Sequence, residues 1–481
     1  MLFPIQSTQA FFLAQSGVEF AVRYAKDQGL TRPAQLLGLN ALAVYQRNLG
    51  AGRFTINYTN TTDTLTSSGE VPTATQRRQI VISNFTSFLY YFAYHKSITV
   101  QTGQVTGTLT NFPMLVSVTD GSLATTATPG GHIASWNAGT NDPQDLIFEA
   151  LDDATCGGPG TSPCRLDHEI EYYAPTTGTL VAWVRVPSIT DSRVIYMYYG
   201  NSCMTASTQN VTGVWNSDYR GVWHLSQNPT GTAPQMKDST TNAYNGAAVG
   251  SFVAGDQRTA VIDGGLNFNG TNDEIQIAKA ALGTTSVTVS AWFNATSFTE
   301  TTFGGTNNSL GAVVFSTRDV DTDRSPTLVV SPAINNGQFG ASDYLIFCDD
   351  TASVAVGARA ISTTSIQTGT WYYAVGTFSR NTGTATYFGN WYVYLNGTQY
   401  GPNNFNYAFA GNVNNVNFSG ASWRLANNPQ WTGYSNIILD EVRVSNIERS
   451  AGWISTEYRN QSNPGNLGAP GFYAVGAEQN N

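Results

Sequence analysis

The front of the chain and the remainder follow two different hydrophobic periods. In QAFFLAQSGVEFAVRYAK, residues 9–26, apolar side chains recur at three- and four-residue steps, as on one face of an α-helix. The apolar face comprises Phe11, Ala14, Val18, Ala21 and Ala25, and the opposite face comprises Phe12, Gln15, Glu19, Val22 and Lys26. Pro33 is placed to begin a second, shorter helix that ends before Gly50. The sequence thus predicts a helical hairpin here.

From residue 53 onward the period changes to two, which is the period of a β-strand. RFTINYT, DTLTSSGEV and RRQIVIS predict a small sheet, and we expect the apolar face of the first helix to cover it. Later segments such as HEIEYYA, TLVAWVRVP and VTVSAWFNAT are separated by Gly, Pro, Asn and Asp at the spacing of a β-sandwich. Three domains are predicted, at residues 1–92, 93–205 and 206–481.

The charge content excludes one class of partner. Charged residues make up only 11% of the chain and the net charge is -9, with no cluster of Lys and Arg. Phosphate binding needs several basic side chains on one face, so we predict no nucleic-acid partner. Abundant Gly, Asn, Thr and Tyr with few charges are typical of a secreted or surface-displayed β protein.

Cysteine placement points outside the cytoplasm. Cys156 and Cys164 bracket CGGPGTSPC, whose Gly and Pro residues can bring the two ends together, so we predict a disulfide. Cys203 and Cys348 either pair or remain buried thiols. No apolar run reaches the roughly 18 residues of a membrane helix, and no signal peptide is visible. We therefore expect that an export segment was trimmed or that the start was misassigned.

Three stretches resemble known families. GGLNFNGTNDEIQI, SVTVSAWFNATSF, GTWYYAVGTF and IILDEVRVSNIERSAGWISTEYRNQ, in family order within residues 214–465, resemble concanavalin A-like, laminin G-type jelly rolls. The middle block, from HKSITV to IYMYYGN, resembles a domain family of unknown function that precedes laminin G-like domains in bacterial and archaeal surface proteins. The front block, TQAFFLAQSGVEFAVRYA and the strands after it, resembles the minor pilins and pseudopilins of type IV pilus systems.

These resemblances complete the predicted fold class. It is mostly β, with two β-sandwich or jelly-roll domains preceded by a small α+β pilin-like domain that begins with a helix. The chain departs from the middle family at the Cys-bracketed insertion, residues 156–164.

DHEIE places three carboxylates at alternate positions of one strand. Asp167, Glu169 and Glu171 therefore share a face. Two carboxylates so arranged could be the acid and nucleophile of a retaining glycosidase, which needs its carboxyl groups about 5 Å apart. They fall outside the concanavalin A-like block, where related enzymes carry such residues. We predict an exposed or ion-pairing strand face, and no enzyme. The four histidines are scattered, which gives no close-spaced zinc motif.

Oxygen-rich loops offer candidate calcium ligands. KDSTTNAYNG supplies Asp238 and Asn242, and LDEVR supplies Asp440. The first and last strands of laminin G-like jelly rolls are neighbours, so the resemblance implies a structural Ca²⁺ that joins the two ends. The alternative is that these residues cap turns without a metal. A second candidate is DVDTDR, with Asp319, Asp321 and Asp323.

A polar loop carries the candidate ligand-binding aromatic residues. SWRLANNPQWTGY holds Trp423, Trp431 and Tyr434, which could stack on sugar rings as the loops of lectin-like domains do. The alternative is that these rings fill the edge of the sandwich.

Taken together, these features predict an extracellular, cell-surface or pilus-associated adhesin. Its lectin-like domain is expected to bind carbohydrate or another surface polymer, and its N-terminal helix to contact other pilin-like subunits. The main alternative is a structural filament subunit whose β-domains make assembly contacts. A glycoside hydrolase that uses Asp167, Glu169 and Glu171 is a lesser alternative.

Overall fold

The chain forms two compact units, and its fold is mostly β with one long N-terminal helix, as predicted. Residues 1–94 with 480–481 make the first unit and residues 95–479 the second. The structure is a computed structural model. It describes residues 3–27, 36–41, 44–71, 76–83, 85, 92–202, 204, 206–278, 286–298, 312–317, 326–331, 343–349, 359–380, 389–402, 422–428, 433–466, 468 and 470–481.

The first unit packs one helix on an antiparallel sheet. Helix α1 (Phe3–Asp27) covers four strands in the order β1 (Gln46–Leu49), β2 (Gly52–Thr59), β3 (Thr64–Val71) and β4 (Gln76–Ser83). The predicted second helix is described only in part: its start at Pro33 lies outside the described residues, and Leu36 is helical. A 3₁₀ turn follows at Leu37–Asn40, and residues 46–49 form strand β1, so the helix does not extend to Gly50 as predicted. Leu39 is buried in the turn, while β1 pairs along the edge of β2.

Small residues let α1 approach the sheet closely. Ala10, Ala14, Ala21 and Ala25 are buried, and Ser67 Oγ donates a hydrogen bond of 2.7 Å to the Ala14 carbonyl. A Cβ atom on Gly69 of β3 would lie 2.0 Å from the Ala10 carbonyl oxygen. The absence of a side chain at Gly69 is therefore what allows helix and sheet backbones to touch.

The predicted buried face of α1 is confirmed except at Phe11, since Ala25 is also buried and Val18 packs against the core. Ala14 and Ala21 are buried as expected, but Phe11 is 48% exposed. Ile5 and Phe12 are also exposed, at 60% and 59%. Among the described residues, no helix combines the length and apolar content required to cross a membrane.

The second unit begins with a sandwich of two antiparallel sheets, which we call the middle sandwich. Its strands are β5 (Tyr94–Val100), β6 (Leu109–Thr119), β7 (Ile147–Ala150), β8 (Cys164–Leu166), β9 (His168–Ala174), β10 (Thr179–Ile189) and β11 (Val194–Tyr199). One sheet runs β6-β10-β9. The other contains β5-β11-β7-β8 and is extended by a strand from the far end of the chain, described below.

The jelly roll follows, after a short helix α2 (Val211–Val214). Its first strands are β12 (Tyr219–Trp223), β13 (Gly246–Val249), β14 (Gln257–Thr259), β15 (Gly264–Asn269), β16 (Glu274–Ile277), β17 (Ser286–Ala295), β18 (Ala312–Ser316), β19 (Pro326–Ser331) and β20 (Tyr344–Asp349). The remaining strands are β21 (Arg359–Ser365), β22 (Trp371–Arg380), β23 (Gly389–Leu395), β24 (Thr398–Tyr400), β25 (Trp423–Leu425), β26 (Asn427–Asn428), β27 (Gly433–Tyr434) and β28 (Asn436–Ser445).

Two sheets enclose the core of the jelly roll. One runs β14-β15-β28-β17-β22-β23-β24, with β12 also paired to β28, and the other runs β13-β16-β25-β18-β19-β20-β21. Strands β26 and β27 pair with each other. The side chains between the sheets form one apolar cluster that includes Phe293, Phe315, Phe347, Trp391 and Trp423.

The end of the second unit returns to the middle sandwich. Helix α3 (Ala451–Ser462) bonds to both sandwiches: Gln461 accepts from the Trp292 indole at 2.7 Å, and Asn460 bonds to both backbone groups of Leu115. Strand β29 (Tyr473–Val475) then pairs with β5, and β30 (Gln479–Asn480) ends the chain. The contacts of the second unit therefore cross residue 205, the predicted domain boundary.

A disulfide joins Cys156 to Cys164, as the sequence pattern predicts. It closes a loop of nine residues that leads into β8. Cys348 is buried in β20, and Cys203 lies outside the described residues, so their pairing stays a prediction.

Reducing this disulfide should lower the free energy of unfolding by about 2–3 kcal/mol, since the open loop regains conformational entropy in the unfolded chain. Thermal unfolding with and without a reductant measures this. The Cys156→Ser/Cys164→Ser variant should unfold at the lower temperature in both conditions. A reductant effect that persists in this variant would contradict the assignment.

Candidate functional site

Two glutamates of the middle sandwich are directed at the jelly roll. Glu169 and Glu171 lie on β9, whose pairing with β10 steps from Tyr172 to Ile170 and leaves Glu171 as the extra residue of a β-bulge. A β-bulge changes the direction in which the side chain of its extra residue points. Glu169 accepts hydrogen bonds from the Trp215 indole at 2.7 Å and from Ser239 Oγ at 2.6 Å. Glu171 accepts one from the Trp183 indole at 2.8 Å.

His224 of the jelly roll lies between these glutamates and a third. It directly follows β12, and its Nδ1 is 2.6 Å from Glu441 Oε1 and 3.4 Å from Glu171 Oε2. Its Nε2 is 3.3 Å from Glu169 Oε2. We call Glu169, Glu171, His224 and Glu441 the junction cluster, because they come from both sandwiches. All four side chains are buried.

The sheet topology explains why Glu441 is available. Strand β28 pairs with β15 through residues 436–439 and with β12 through residues 442–445 along the same edge. Asp440 and Glu441 therefore occupy the gap where one neighbour replaces the other. Glu441 has a φ of 53°, in the left-handed region that side chains rarely adopt. Such backbone strain is held in place by surrounding structure and clusters at functional sites.

A buried arginine extends the junction cluster. Arg443 donates to Glu441 and to Glu457, both at 2.6 Å, and Glu457 lies on α3. Its guanidinium lies 4.2 Å from the ring centroid of Trp183 and 4.9 Å from that of Trp215. Cation–π contacts with desolvated rings of this kind stabilise the cation. Arg443 thus joins β28, α3 and the middle sandwich.

Burial and neighbouring charges shift the pKa values of the junction cluster in opposite directions. Burial raises the pKa of Glu171 well above its usual value and outweighs the nearby charge of His224. Burial alone lowers the pKa of His224, yet the glutamates around it, above all Glu441, raise that pKa well above normal. For Glu441, the charges of His224 and Arg443 overcome the effect of burial and hold its pKa below the usual range.

Carboxyl groups outnumber cations around this site. Burial and Glu441 raise the pKa of Asp440 well above normal, and burial raises that of Asp263 to about 6. Six carboxyl groups thus surround two cationic side chains, His224 and Arg443; they belong to Glu169, Glu171, Asp263, Asp440, Glu441 and Glu457. Among the described residues, Glu171 Oε1 and Asp440 Oδ1 are buried without a hydrogen-bond partner.

The calcium candidates from the sequence hold loops in place. The two oxygens of Asp238 accept bonds from the backbone of Val222, Thr240 and Tyr244 and from the Thr240 hydroxyl. Asn242 donates its amide to the carbonyls of Tyr219 and Arg220. Asp238 and Asn242 thus have hydrogen-bond partners in the loops that they hold, as turn-capping residues do. Calcium at this position stays a prediction.

Asp440, the third calcium candidate, anchors a different loop. Its Oδ2 accepts a hydrogen bond of 2.9 Å from the backbone nitrogen of Ile262. Its other oxygen, Oδ1, is buried without a hydrogen-bond partner among the described residues. Asp319, Asp321 and Asp323, the second calcium candidate, lie outside the described residues.

Of the three predicted ligand-binding aromatic residues, the structure describes Trp423 and Tyr434. Trp423 is fully buried, with its ring centroid 5.8 Å from those of Trp223 and Phe315. Its ring lies in the core between the two sheets rather than at the edge of the sandwich, and Trp423 presents no exposed ring for a sugar. Tyr434 is half-buried on β27 opposite Asn427, and Trp431 lies outside the described residues.

Asp167 forms an ion pair with Arg185 and accepts a hydrogen bond of 2.8 Å from Asn210. The DHEIE face is therefore an ion-pairing face, one of the two structural roles predicted for it. His224 and Glu441, which complete the site, were missed. They are separated by 217 residues, and no motif in the sequence connects them.

A second buried histidine, His168 on β9, carries a pH prediction. Burial lowers its pKa to about 4, so it is neutral in the folded chain, whereas an unfolded histidine takes up a proton below about pH 6.5. The folded state should therefore lose about 3 kcal/mol of stability as the pH falls from 6.5 to 4. Urea unfolding at several pH values measures this loss. A His168→Gln variant should lack this part of the pH slope, and equal slopes would contradict the assignment.

Two parts of the second unit match known sequence families. Residues 269–455 match the concanavalin A-like lectin/glucanases superfamily in its laminin G form, so the chain carries a C-terminal concanavalin A-like domain. Residues 161–221 match a domain of unknown function, DUF2341, and they include β9, β10 and β11. The first match includes Glu441 and Arg443, and the second includes Glu169 and Glu171. Comparison with curated proteins gives no match.

Solved structures offer distant likenesses. One is domain 4 of AbnA, a GH43 extracellular arabinanase from Geobacillus stearothermophilus in complex with arabinotriose, at 18% identity over 50% of this chain and 97% of that one, with a TM-score of 0.33. Another is the receptor-binding domain of botulinum neurotoxin type G, at 12% identity over 51% and 52%, with a TM-score of 0.30. The chain thus spans about half of the toxin domain.

Proposed function

We propose that this protein is a cell-surface or pilus-associated adhesin that presents its concanavalin A-like domain to carbohydrate or another surface polymer. The observation that carries the proposal is the family match over residues 269–455. This domain is joined to a second sandwich by a buried network of ion pairs and hydrogen bonds. Such a joint suits a protein that holds its binding domain at a fixed orientation.

The placement of the acidic residues favours binding over hydrolysis. Glu169 and Glu171 are buried, and the indoles of Trp215 and Trp183 occupy one oxygen of each. A glycosidase needs its two carboxyl groups on either side of a bound sugar. Neither glutamate is open to a polymer chain, so we assign both to the junction and no hydrolytic step to this face.

The N-terminal helix is proposed to be the contact with other pilin-like subunits. Ile5, Phe11 and Phe12 are exposed on α1, while its small residues face the sheet. Exposed aromatic residues next to a tightly packed face are typical of an assembly surface. The same exposure supports the alternative function, a filament subunit whose β-domains make coat contacts.

A glycan array with the full chain tests the adhesin. We expect the protein to bind at least one class of immobilised polysaccharide. The same polysaccharide, added in solution, should compete for that binding. Repeating the array with a calcium chelator tests the calcium prediction separately. Binding that survives the chelator keeps the adhesin and removes the need for calcium. No retention on any glycan or cell-surface polymer would overturn the adhesin.

Electron microscopy of the native assembly separates the two functions. An adhesin at a filament tip should be labelled at filament ends, whereas a structural subunit should repeat along the filament. A Phe11→Ser/Phe12→Ser variant should lose its place in the assembly but keep glycan binding. A Leu49→Ser variant, which alters an exposed residue of β1, is the control and should keep both.

A further inference from the structure

The junction cluster has the arrangement of a metal site that spans two sandwiches. One nitrogen of His224 and one oxygen each of Glu171 and Glu441 lie within 4.8 Å of one another. In a tetrahedral zinc site with ligand bonds of about 2.0 Å, neighbouring donor atoms are separated by about 3.3 Å. The separation of 3.4 Å from His224 Nδ1 to Glu171 matches this value, whereas the 2.6 Å to Glu441 is a hydrogen-bond distance that must widen when an ion binds.

Glu169 completes the arrangement from the other side of the imidazole. Its Oε2 lies 3.3 Å from His224 Nε2, on the side opposite the other two glutamates. In the structure Nδ1 bonds to Glu441. When a metal replaces the Nδ1 proton, a carboxylate at this distance can accept the proton that remains on Nε2. Glu169 is itself held by Trp215 and Ser239, so its orientation is fixed.

Unsatisfied oxygen atoms point to a missing partner. The Glu171 side chain is only 1% exposed, and its Oε1 has no hydrogen-bond partner among the described residues. Asp440 Oδ1, on the residue before Glu441, is also buried without a hydrogen-bond partner among the described residues. Buried polar atoms are almost always paired, so two unpaired carboxyl oxygens in and beside the junction cluster are an arrangement that a bound cation would satisfy.

The geometry points to a divalent metal of the zinc class held by Glu171, His224 and Glu441, with Glu169 as the positioning residue. An imidazole ligand with two carboxylates disfavours calcium, which takes oxygen ligands only, and suits zinc. Because the ligands come from β9, β28 and the residue after β12, the ion ties the middle sandwich to the jelly roll. This site is distinct from the predicted calcium site and goes beyond glycan binding.

Metal analysis of the full chain tests the site. Because the ligands are buried, zinc is supplied during expression and, in a second preparation, during refolding from denaturant. After dialysis we expect one equivalent of zinc per chain and a higher unfolding temperature than for chain refolded with EDTA. Less than a tenth of an equivalent in both preparations, with no shift in unfolding temperature, would overturn the site.

Matched variants locate the ion. Glu171→Gln and His224→Gln should weaken zinc binding at least ten-fold, and Glu169→Gln roughly ten- to a hundred-fold. Glu274→Gln removes the charge of another buried glutamate, one that pairs with Arg424 at 2.7 Å, and should retain zinc. Asp238→Asn, in the predicted calcium site, should retain it too. Zinc bound equally by Glu171→Gln and the unaltered chain would overturn the assignment.

One measurement needs no variant. X-ray absorption at the zinc edge of the unaltered chain should show one imidazole together with oxygen ligands. A first shell without imidazole would place the ion elsewhere and overturn the proposal, even if every variant failed to fold. Glycan retention measured on the same zinc-loaded and zinc-free samples keeps the two proposals separate, because zinc binding does not require a glycan.

Discussion

Replacing Arg443 with Met should lower the free energy of unfolding of the second unit by about 3–5 kcal/mol. The substitution keeps an apolar chain of similar length but removes the cation from Glu441 and Glu457, both of which stay buried. An unpaired buried charge is far more costly than the loss of a surface ion pair. It also removes the guanidinium from the rings of Trp183 and Trp215.

Denaturant unfolding followed by tryptophan fluorescence measures this effect, since two of the rings lie beside Arg443. Arg258→Met is the matched control, because Arg258 is exposed on β14. We expect the control to change stability by less than about 0.5 kcal/mol. A loss below about 1 kcal/mol in Arg443→Met would mean that the carboxyl groups are already neutralised by protons.

The second large effect is expected in the first unit, at Gly69. The added Cβ of Gly69→Ala would lie 2.0 Å from the Ala10 carbonyl oxygen and 2.4 Å from the Ala14 nitrogen, so helix and sheet must separate. Both neighbours are backbone atoms, which cannot rotate away as a side chain does. We expect a loss of about 3 kcal/mol or more in the free energy of unfolding.

Limited proteolysis and thermal unfolding of the full chain measure whether α1 remains docked. The control is Ser83→Val, a larger substitution at an exposed position of β4 in the same sheet. The control should leave the cleavage rate within α1 unchanged. If Gly69→Ala and Ser83→Val behave alike, the close approach of helix and sheet is not what holds this unit together.

Helices and strands whose hydrophobic period is clear in the sequence were predicted correctly. The period of residues 9–26 gave α1, and alternation gave β2, β3 and β4 with boundaries close to those observed. The second helix was predicted to extend too far, because Leu39 is buried within a short 3₁₀ turn and residues 46–49 pair along the edge of β2. Tertiary pairing decides short segments of this kind, and no local period reports it.

The candidate site depended on contacts that no local pattern contains. The alternation of Glu169 and Glu171 was visible, but the bulge that turns Glu171 and the gap in β28 that frees Glu441 arise from strand pairing. Trp423 looked like a loop residue because Asn and Gly follow it. It lies instead on β25 between β16 and β18, where its ring enters the core.

The pairing of β29 with β5 places Val475 opposite Ile98, at positions almost 400 residues apart in the chain. The two ends of the second unit therefore leave from adjacent points on one sheet. A domain whose two ends lie close together can be inserted into a surface loop of an unrelated host protein without moving the two ends of that loop apart. In genetic terms, residues 95–479 should move between proteins as one cassette, and an exchange at residue 205 would separate His224 from the glutamates of β9.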